Sequence, residues 1–208
     1  MKNYIKSIIG ILKKLYPDAV CSLDYKDALQ LLIATRLSAQ CTDARVNMVT
    51  PALFNRFPDL NAFSDADVNQ VEPFIRSCGL YKTKARDIVA MTKMLRDQYD
   101  GKIPDTIEEL IKLPGVGRKT ANLIVGDVYG KPAVVTDTYC IRISNRLGLC
   151  DTKDPYKVEQ KLRKLLPPEE SNLFCQRLVL FGRQICSARS PKCDVCPLRD
   201  YCKSVDSF

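Results

Sequence analysis

Leu113-Pro-Gly-Val-Gly-Arg-Lys119 stands between two stretches of helical periodicity. Pro114 stops the first helix, because it has no N–H to donate and its ring clashes with the preceding turn. Gly115 and Gly117 are expected to supply backbone angles that other residues resist. A turn this tight points successive N–H groups outward at the start of the next helix. Such a nest, at the positive end of a helix dipole, suits a phosphate oxygen. Nothing in the turn reads base edges, so the contact positions a nucleic-acid backbone without selecting a sequence. An ordinary corner between helices needs less than Pro-Gly-x-Gly followed by Arg118-Lys-Thr120.

The pattern is helical on both sides of this turn. Tyr4, Ile5, Ile8, Ile9, Leu12, Leu15 and Tyr16 recur at helical spacing and predict an amphipathic docking helix. Asp27 caps a run through Leu29, Leu32, Ile33 and Leu37, and Thr42-Asp43 opens the next helix. Ser64 and Asp67 are expected to open a short helix ending before Gly79, and a longer one follows over 82–99. Thr106-Ile-Glu-Glu109 has capping-box spacing. Further helices fit 119–128, 137–147, 155–166 and 172–181. Only Ala133-Val-Val135 reads as β-like, and it is too short to found a sheet. The fold class is all-α, with the break at Gly130-Lys-Pro132 as the candidate domain boundary.

Composition narrows the chemistry. The 208 residues carry a net charge of +8, which favours a polyanionic partner. No apolar run approaches the roughly 20 residues of a membrane helix, and no small-residue cleavage site follows the first helix. The expected location is cytoplasmic. The chain has ten cysteines and no histidine, so there is no histidine base and no histidine metal ligand. Cys21, Cys41, Cys78, Cys140, Cys150 and Cys175 follow no spacing and are expected to be small buried thiols. Cys186, Cys193, Cys196 and Cys202 form C-x6-C-x2-C-x5-C, a metal signal. Four thiolates suit zinc or an iron–sulfur cluster, and spacing alone leaves both open. Arg183, Arg189, Lys192, Arg199 and Lys203 decorate this segment and are read as a basic surface facing DNA.

Lys119 falls in the first turn of its helix, where the dipole opposes a cation. Arg118, Arg36 or Lys131 nearby would add repulsion and favour the neutral amine, a nucleophile that forms Schiff bases. A solvated phosphate-binding lysine is the plainer alternative. Asp137, in Val134-Val-Thr-Asp-Thr138, is a helix cap by position. Turned back toward Lys119, its carboxylate would activate the amine or water and stabilise positive charge on a sugar.

Taken together, Leu37-Ser-Ala-Gln-Cys-Thr-Asp43, Gly79-Leu-Tyr81, Leu113-Pro-Gly-Val-Gly-Arg-Lys-Thr-Ala-Asn122, Val135-Thr-Asp-Thr138 and the last four cysteines resemble the endonuclease III family of helix-hairpin-helix DNA glycosylases, over nearly the whole chain. The resemblance implies a six-helix domain at 21–131 and a cluster domain from 1–20 and 132–208, with the active-site cleft between them. It implies a [4Fe–4S] cluster on Cys186, Cys193, Cys196 and Cys202 rather than zinc. It makes Lys119 the nucleophile and lyase residue, and Asp137 the essential carboxylate. Gln40 and Leu80 match the side chains that fill the gap left by a flipped nucleotide, and Leu113, Gly115, Val116, Gly117, Arg118 and Thr120 match the DNA-binding hairpin. The implied partner is double-stranded DNA with a damaged, mismatched or abasic nucleotide, bound by a monomer. Tyr139 stands where the family commonly has histidine, beside the expected substrate pocket, and Cys140 and Cys41 also depart from the pattern.

The activity implied is a base-excision glycosylase with AP lyase activity, acting on damaged bases of the oxidised-pyrimidine kind. A monofunctional mismatch glycosylase, for example for adenine, and a non-catalytic DNA-binding protein are the alternatives. The first would release base without cutting the strand, and the second would do neither.

Overall fold

The computed structural model describes residues 2–205, with the backbone alone for Lys2. Every regular element among them is helical. The helices are α1 (Lys2–Leu15), α2 (Ala28–Leu37), α3 (Asp43–Arg56), α4 (Leu60–Ser64), α5 (Val68–Ile75), α6 (Tyr81–Tyr99), α7 (Ile107–Leu110), α8 (Arg118–Asp127), α9 (Thr138–Arg146), α10 (Pro155–Leu165) and α11 (Ser171–Gln184). Short 3-10 turns lie at Arg76–Cys78, Pro168–Glu170, Cys193–Val195 and Arg199–Tyr201. The chain divides into two compact units, Cys21–Tyr129 and Met1–Val20 with Gly130–Phe208.

In the 21–129 unit, α2 is central. Leu31, Leu32, Ile33, Ala34 and Leu37 are all buried, and α2 packs on α3, α6 and α8. A helix apolar on every side has to be covered on every side. Asp27 caps it by accepting from the Gln30 N–H at 2.8 Å. A second layer of α4 and α5 packs on α6 around Phe57, whose ring stacks on Phe63 at 5.0 Å and meets Phe74 edge-on at 5.9 Å.

In the other unit, Ile5, Ile8, Ile9 and Leu12 of α1 are buried against α11, and α11 packs on α9. Leu15, expected in the same stripe, is exposed. Glu170 joins this layer together. It accepts from Lys13 of α1 and, at 3.1 Å, from the buried Arg177 of α11. Gly182 lets α9 lie close on α11, for a Cβ there would fall 2.4 Å from Cδ1 of Tyr139.

Several local expectations give way. Ser64 ends α4, a separate helix capped by Asp59, rather than opening the next one; α5 starts at its own cap, Asp67. Only half of the box at Thr106 forms. Thr106 Oγ1 accepts from the Glu109 N–H, but the Glu109 carboxylate turns to Tyr99 and Lys112 instead of reaching back. The reach-back bond occurs at Asp67, whose N–H donates to Gln70 Oε1 at 3.0 Å. Ala133, Val134 and Val135 are buried but irregular, and no strand is present among the described residues. Of the six scattered cysteines, Cys21 and Cys41 are half-exposed, while Cys78, Cys140, Cys150 and Cys175 are buried.

Candidate active site and metal centre

The hairpin is anchored by its apolar residues. Leu113 and Val116 are buried, and the Val116 N–H donates to the Leu113 carbonyl at 3.1 Å. α7 has already ended at Leu110, three residues before the Leu113-Pro114 corner. Gly115 takes φ +74, and a Cβ on it would lie 2.7 Å from Nε of Arg36 and 2.9 Å from Cβ of Asp87. Only glycine fits, for backbone angle and for space. Gly117 is different. Its φ of −91 is ordinary, and open space surrounds its α-carbon. Its use is that it brings no capping side chain to the start of α8. That leaves the first N–H groups of the helix without a covering side chain from the cap position.

Lys119 is the second residue of α8 and is exposed. Arg118 and Thr120 flank it, both half-buried. Arg36 is not a loose cation beside it. Its guanidinium forks onto Asp87 Oδ2, at 3.0 Å from Nε and 2.6 Å from Nη2, beneath Gly115. The sequence pattern gave no sign of this pair, whose members are 51 residues apart.

Gln40 and Leu80 are both exposed, and both take left-handed backbone angles, φ 55 and φ 46. Besides Asp100 they are the only described non-glycine residues with positive φ. Such angles in side-chain-bearing residues store strain and cluster where a chain presents a side chain for use. Between them lies Lys84, fully buried, whose ammonium donates to the Leu37 carbonyl at 2.7 Å and the Cys78 carbonyl at 2.8 Å. It ties the end of α2 to the turn before Leu80, and its apolar surroundings hold its pKa below the usual lysine range.

Asp137 caps α9. Its Oδ1 accepts from the Cys140 N–H at 2.7 Å. The cap is real, and it holds the carboxylate in a fixed place at the mouth of the helix. Lys119 and Asp137 belong to different units. Tyr139 is committed to packing within its own unit. Its ring rests at Gly182, with the Arg142 guanidinium 5.0 Å and that of Arg183 5.8 Å from the ring centroid. Gly182 was findable as a lone glycine inside an apolar helix.

Cys186, Cys193, Cys196 and Cys202 line a single cavity with Arg146, Ile185, Pro191 and Arg199. All four are free thiols. Burial, and then the nearness of Cys186, Cys202 and Cys193, push the Cys196 thiol up. N–H donors surround the sulfurs. Arg146 Nη1 donates to Cys186 Sγ at 3.1 Å and to the Ser187 carbonyl at 2.7 Å, and the Ser204 N–H donates to Cys202 Sγ at 3.4 Å. Arg146 lies on α9, outside the cysteine segment, and nothing in its spacing marked it. Among the described residues no three His, Cys, Asp or Glu side chains converge as a set to hold a single metal ion. Four sulfurs around a cavity, edged by N–H groups, fit a cluster of iron and sulfide better than one zinc ion.

Three of the five cations assigned to a DNA-facing surface have internal work. Arg199 donates to the Cys193 carbonyl at 3.1 Å, Arg183 lies over Tyr139, and Lys203 packs its stem against Gly148.

Comparison with known proteins matches this geometry. Residues 33–168 fit the HhH-GPD superfamily of base excision DNA repair proteins, and residues 186–202 fit the iron–sulfur binding domain of endonuclease III. The chain is 46% identical to endonuclease III of Synechocystis sp. over 99% of its own length and 94% of that protein. It is 42% identical to that of Bacillus subtilis, over 91% and 87%. Among solved structures, a trapped endonuclease III–DNA covalent intermediate, an estranged-adenine complex, superposes with a TM-score of 0.94 at 43% identity, covering 100% of this chain and 98% of that one. A thermostable thymine-DNA glycosylase shares the fold alone, with a TM-score of 0.89 at 19% identity. A domain match over most of the chain, a cysteine segment of the right kind and full-length relatives agree: the chain belongs to the endonuclease III family of helix-hairpin-helix base-excision repair proteins.

Proposed function

We propose that this chain is a DNA glycosylase with AP lyase activity that removes oxidised pyrimidines from double-stranded DNA. One observation carries the reading: a full-length relative of the same fold has been caught covalently joined to DNA, and this chain presents an exposed lysine at the start of the helix that follows the hairpin.

The chemistry follows from the parts. The hairpin N–H groups hold a phosphate and set the register without reading bases. The damaged nucleotide leaves the stack, and Gln40 and Leu80 fill its place, held ready in their strained turns. Lys119 Nζ attacks the sugar C1′, the bond to the base breaks, and the base departs taking a proton. Loss of the remaining ammonium proton opens the sugar to a Schiff base. Removal of a C2′ proton then expels the 3′ phosphate by β-elimination. The Asp137 carboxylate, fixed by its cap bond, stabilises positive charge on the sugar and helps deprotonate the amine. Tyr139 bears on base preference through the first turn of α9, which its ring braces on α11.

Cys186, Cys193, Cys196 and Cys202 would hold a [4Fe–4S] cluster, which when bound supplies a rigid thiolate-ligated core for its loop. No helix among the described residues is long and apolar enough to cross a membrane. The protein acts in the cytoplasm, as a monomer on DNA.

Borohydride in the presence of abasic or oxidised-pyrimidine duplex should trap a covalent adduct. Lys119→Gln should lose it while still binding the duplex. Undiminished trapping in that variant would remove Lys119 as the nucleophile, and base release without strand cleavage by the unaltered protein would remove the lyase.

A further inference from the structure

Cys41 and Cys78 come together from turns 37 residues apart. Their thiols hydrogen-bond, and Lys84 and Arg45 lie close enough to act on them electrostatically. Cys41 is half-exposed and directly follows Gln40. Cys78 is buried and stands two residues before Leu80. Lys84 grips the carbonyl of Cys78 itself. The pair therefore joins the two strained turns that carry the inserted side chains. Nothing in the glycosylase chemistry uses these thiols.

We infer that Cys41 and Cys78 are a dithiol–disulfide couple whose oxidation clamps the Gln40 turn to the Leu80 turn and lowers activity. The oxidant is a low-molecular-weight disulfide. The Cys41 thiolate attacks one of its sulfurs and expels a small thiolate, leaving a mixed disulfide on Cys41. The Cys78 thiolate then attacks the Cys41 sulfur and expels the second small thiolate. The protons of the two cysteines end on the two small thiols, so two protein thiols are oxidised and one small disulfide is reduced. Burial pushes the Cys78 thiol up to about 11, and the cations of Lys84 and Arg45 partly offset this, so Cys41 is the entry point and Cys78 the resolving partner. A disulfide holds its sulfurs roughly 2.0 Å apart, well inside hydrogen-bond distance. Closing it draws together two turns that must part around a flipped nucleotide. Cys140 and Cys175 also hydrogen-bond, but both are buried and offer no entry, so they serve as an internal control.

The effect on activity rests on the roles proposed for Gln40 and Leu80; the couple itself does not. The holoenzyme is treated with oxidised glutathione while the visible absorbance of its cluster is followed. Tryptic peptides are then mapped without reduction. Expected is a link between peptides 37–45 and 77–82, with the absorbance retained and no link between Cys140 and Cys175. Activity on an oxidised-pyrimidine duplex should fall about fivefold or more, within the usual range of coupled sites. A reducing thiol should restore it. Cys41→Ala and Cys78→Ala should show no response. Absence of the link, or a mixed disulfide left standing on Cys41, overturns the couple. A link with unchanged activity overturns the clamp. Reduced protein inactive on every lesion would instead defeat the proposed glycosylase, while the peptide map still decides the couple.

Discussion

Gly115 and Gly117 sit two positions apart and do unlike things. Gly115 is bent into the left-handed region over the Arg36–Asp87 pair, and Gly117 is extended in open space. Gly115→Ala should cost about 1–3 kcal/mol, since the methyl meets strain and a clash together. Gly117→Ala should cost under about 1 kcal/mol, the difference between a good cap residue and a poor one. Its methyl stands where a phosphate must approach, so duplex affinity should fall in both variants. Urea midpoints and binding isotherms separate the two. Equal losses of stability would show that the turn is not braced as described. In the sequence the two glycines read alike, because a pattern shows which residue lacks a Cβ and not what would meet one. The caps at Asp27, Thr42 and Asp137 were legible for the opposite reason: their partners lie three residues away. Arg36 and Asp87 were not, since only the fold brings them together.

Among the elements, α1 and α11 show how a terminal helix is secured. The apolar stripe of α1 was plain from its spacing, while its ionic tie was not. Glu170 is the shared acceptor of Lys13 and Arg177. Desolvation raises its pKa, but the bonds from Lys13 and Arg177 outweigh this and hold it below the usual carboxylate range. A depressed folded pKa gives stability that is present above the unfolded value, about 4.3 for glutamate, and is lost as the pH falls through the folded value. Glu170→Gln should therefore cost about 1–3 kcal/mol near neutral pH, leaving the buried Arg177 short of its acceptor. The gap to the unaltered protein should close as the pH drops below the ordinary carboxylate value. Thermal melts at several pH values test this, and a gap that stays constant would mean the loss is packing. Boundaries were read less well than existence. Ser64 was taken for an opening residue because Asp59, the actual cap, starts a helix of only five residues, too short to show a period. The box at Thr106 failed because Tyr99 and Lys112 offered Glu109 stronger partners.

At the scale of the whole molecule, the helical class, the hairpin and the four-cysteine segment were all legible, since each is written in contiguous residues. The thiol contacts of Cys41 with Cys78 and of Cys140 with Cys175 were hidden, because their residues are far apart in the chain and near only in the fold. The net charge of +8 gave the correct class of partner but misplaced part of its source, for Arg183, Arg199 and Lys203 are engaged within the protein. The ion pair under Gly115 carries a different kind of consequence, one of handling. DNA contacts made through phosphates weaken steeply with ionic strength, by about 10³ or more between roughly 50 and 200 mM salt for six or more such contacts. Arg36 and Asp87 are only 14% and 16% exposed, and a shielded pair is screened far less than an open one. Salt should therefore strip the protein from a duplex and leave the hairpin's footing intact. After elution, dilution should restore binding within the mixing time, with the urea midpoint little changed across the same range. Recovery that lagged like a refolding reaction would show that the footing had dissolved along with the complex. The turn that grips the DNA can be washed clean because the ions that brace it are out of the salt's reach.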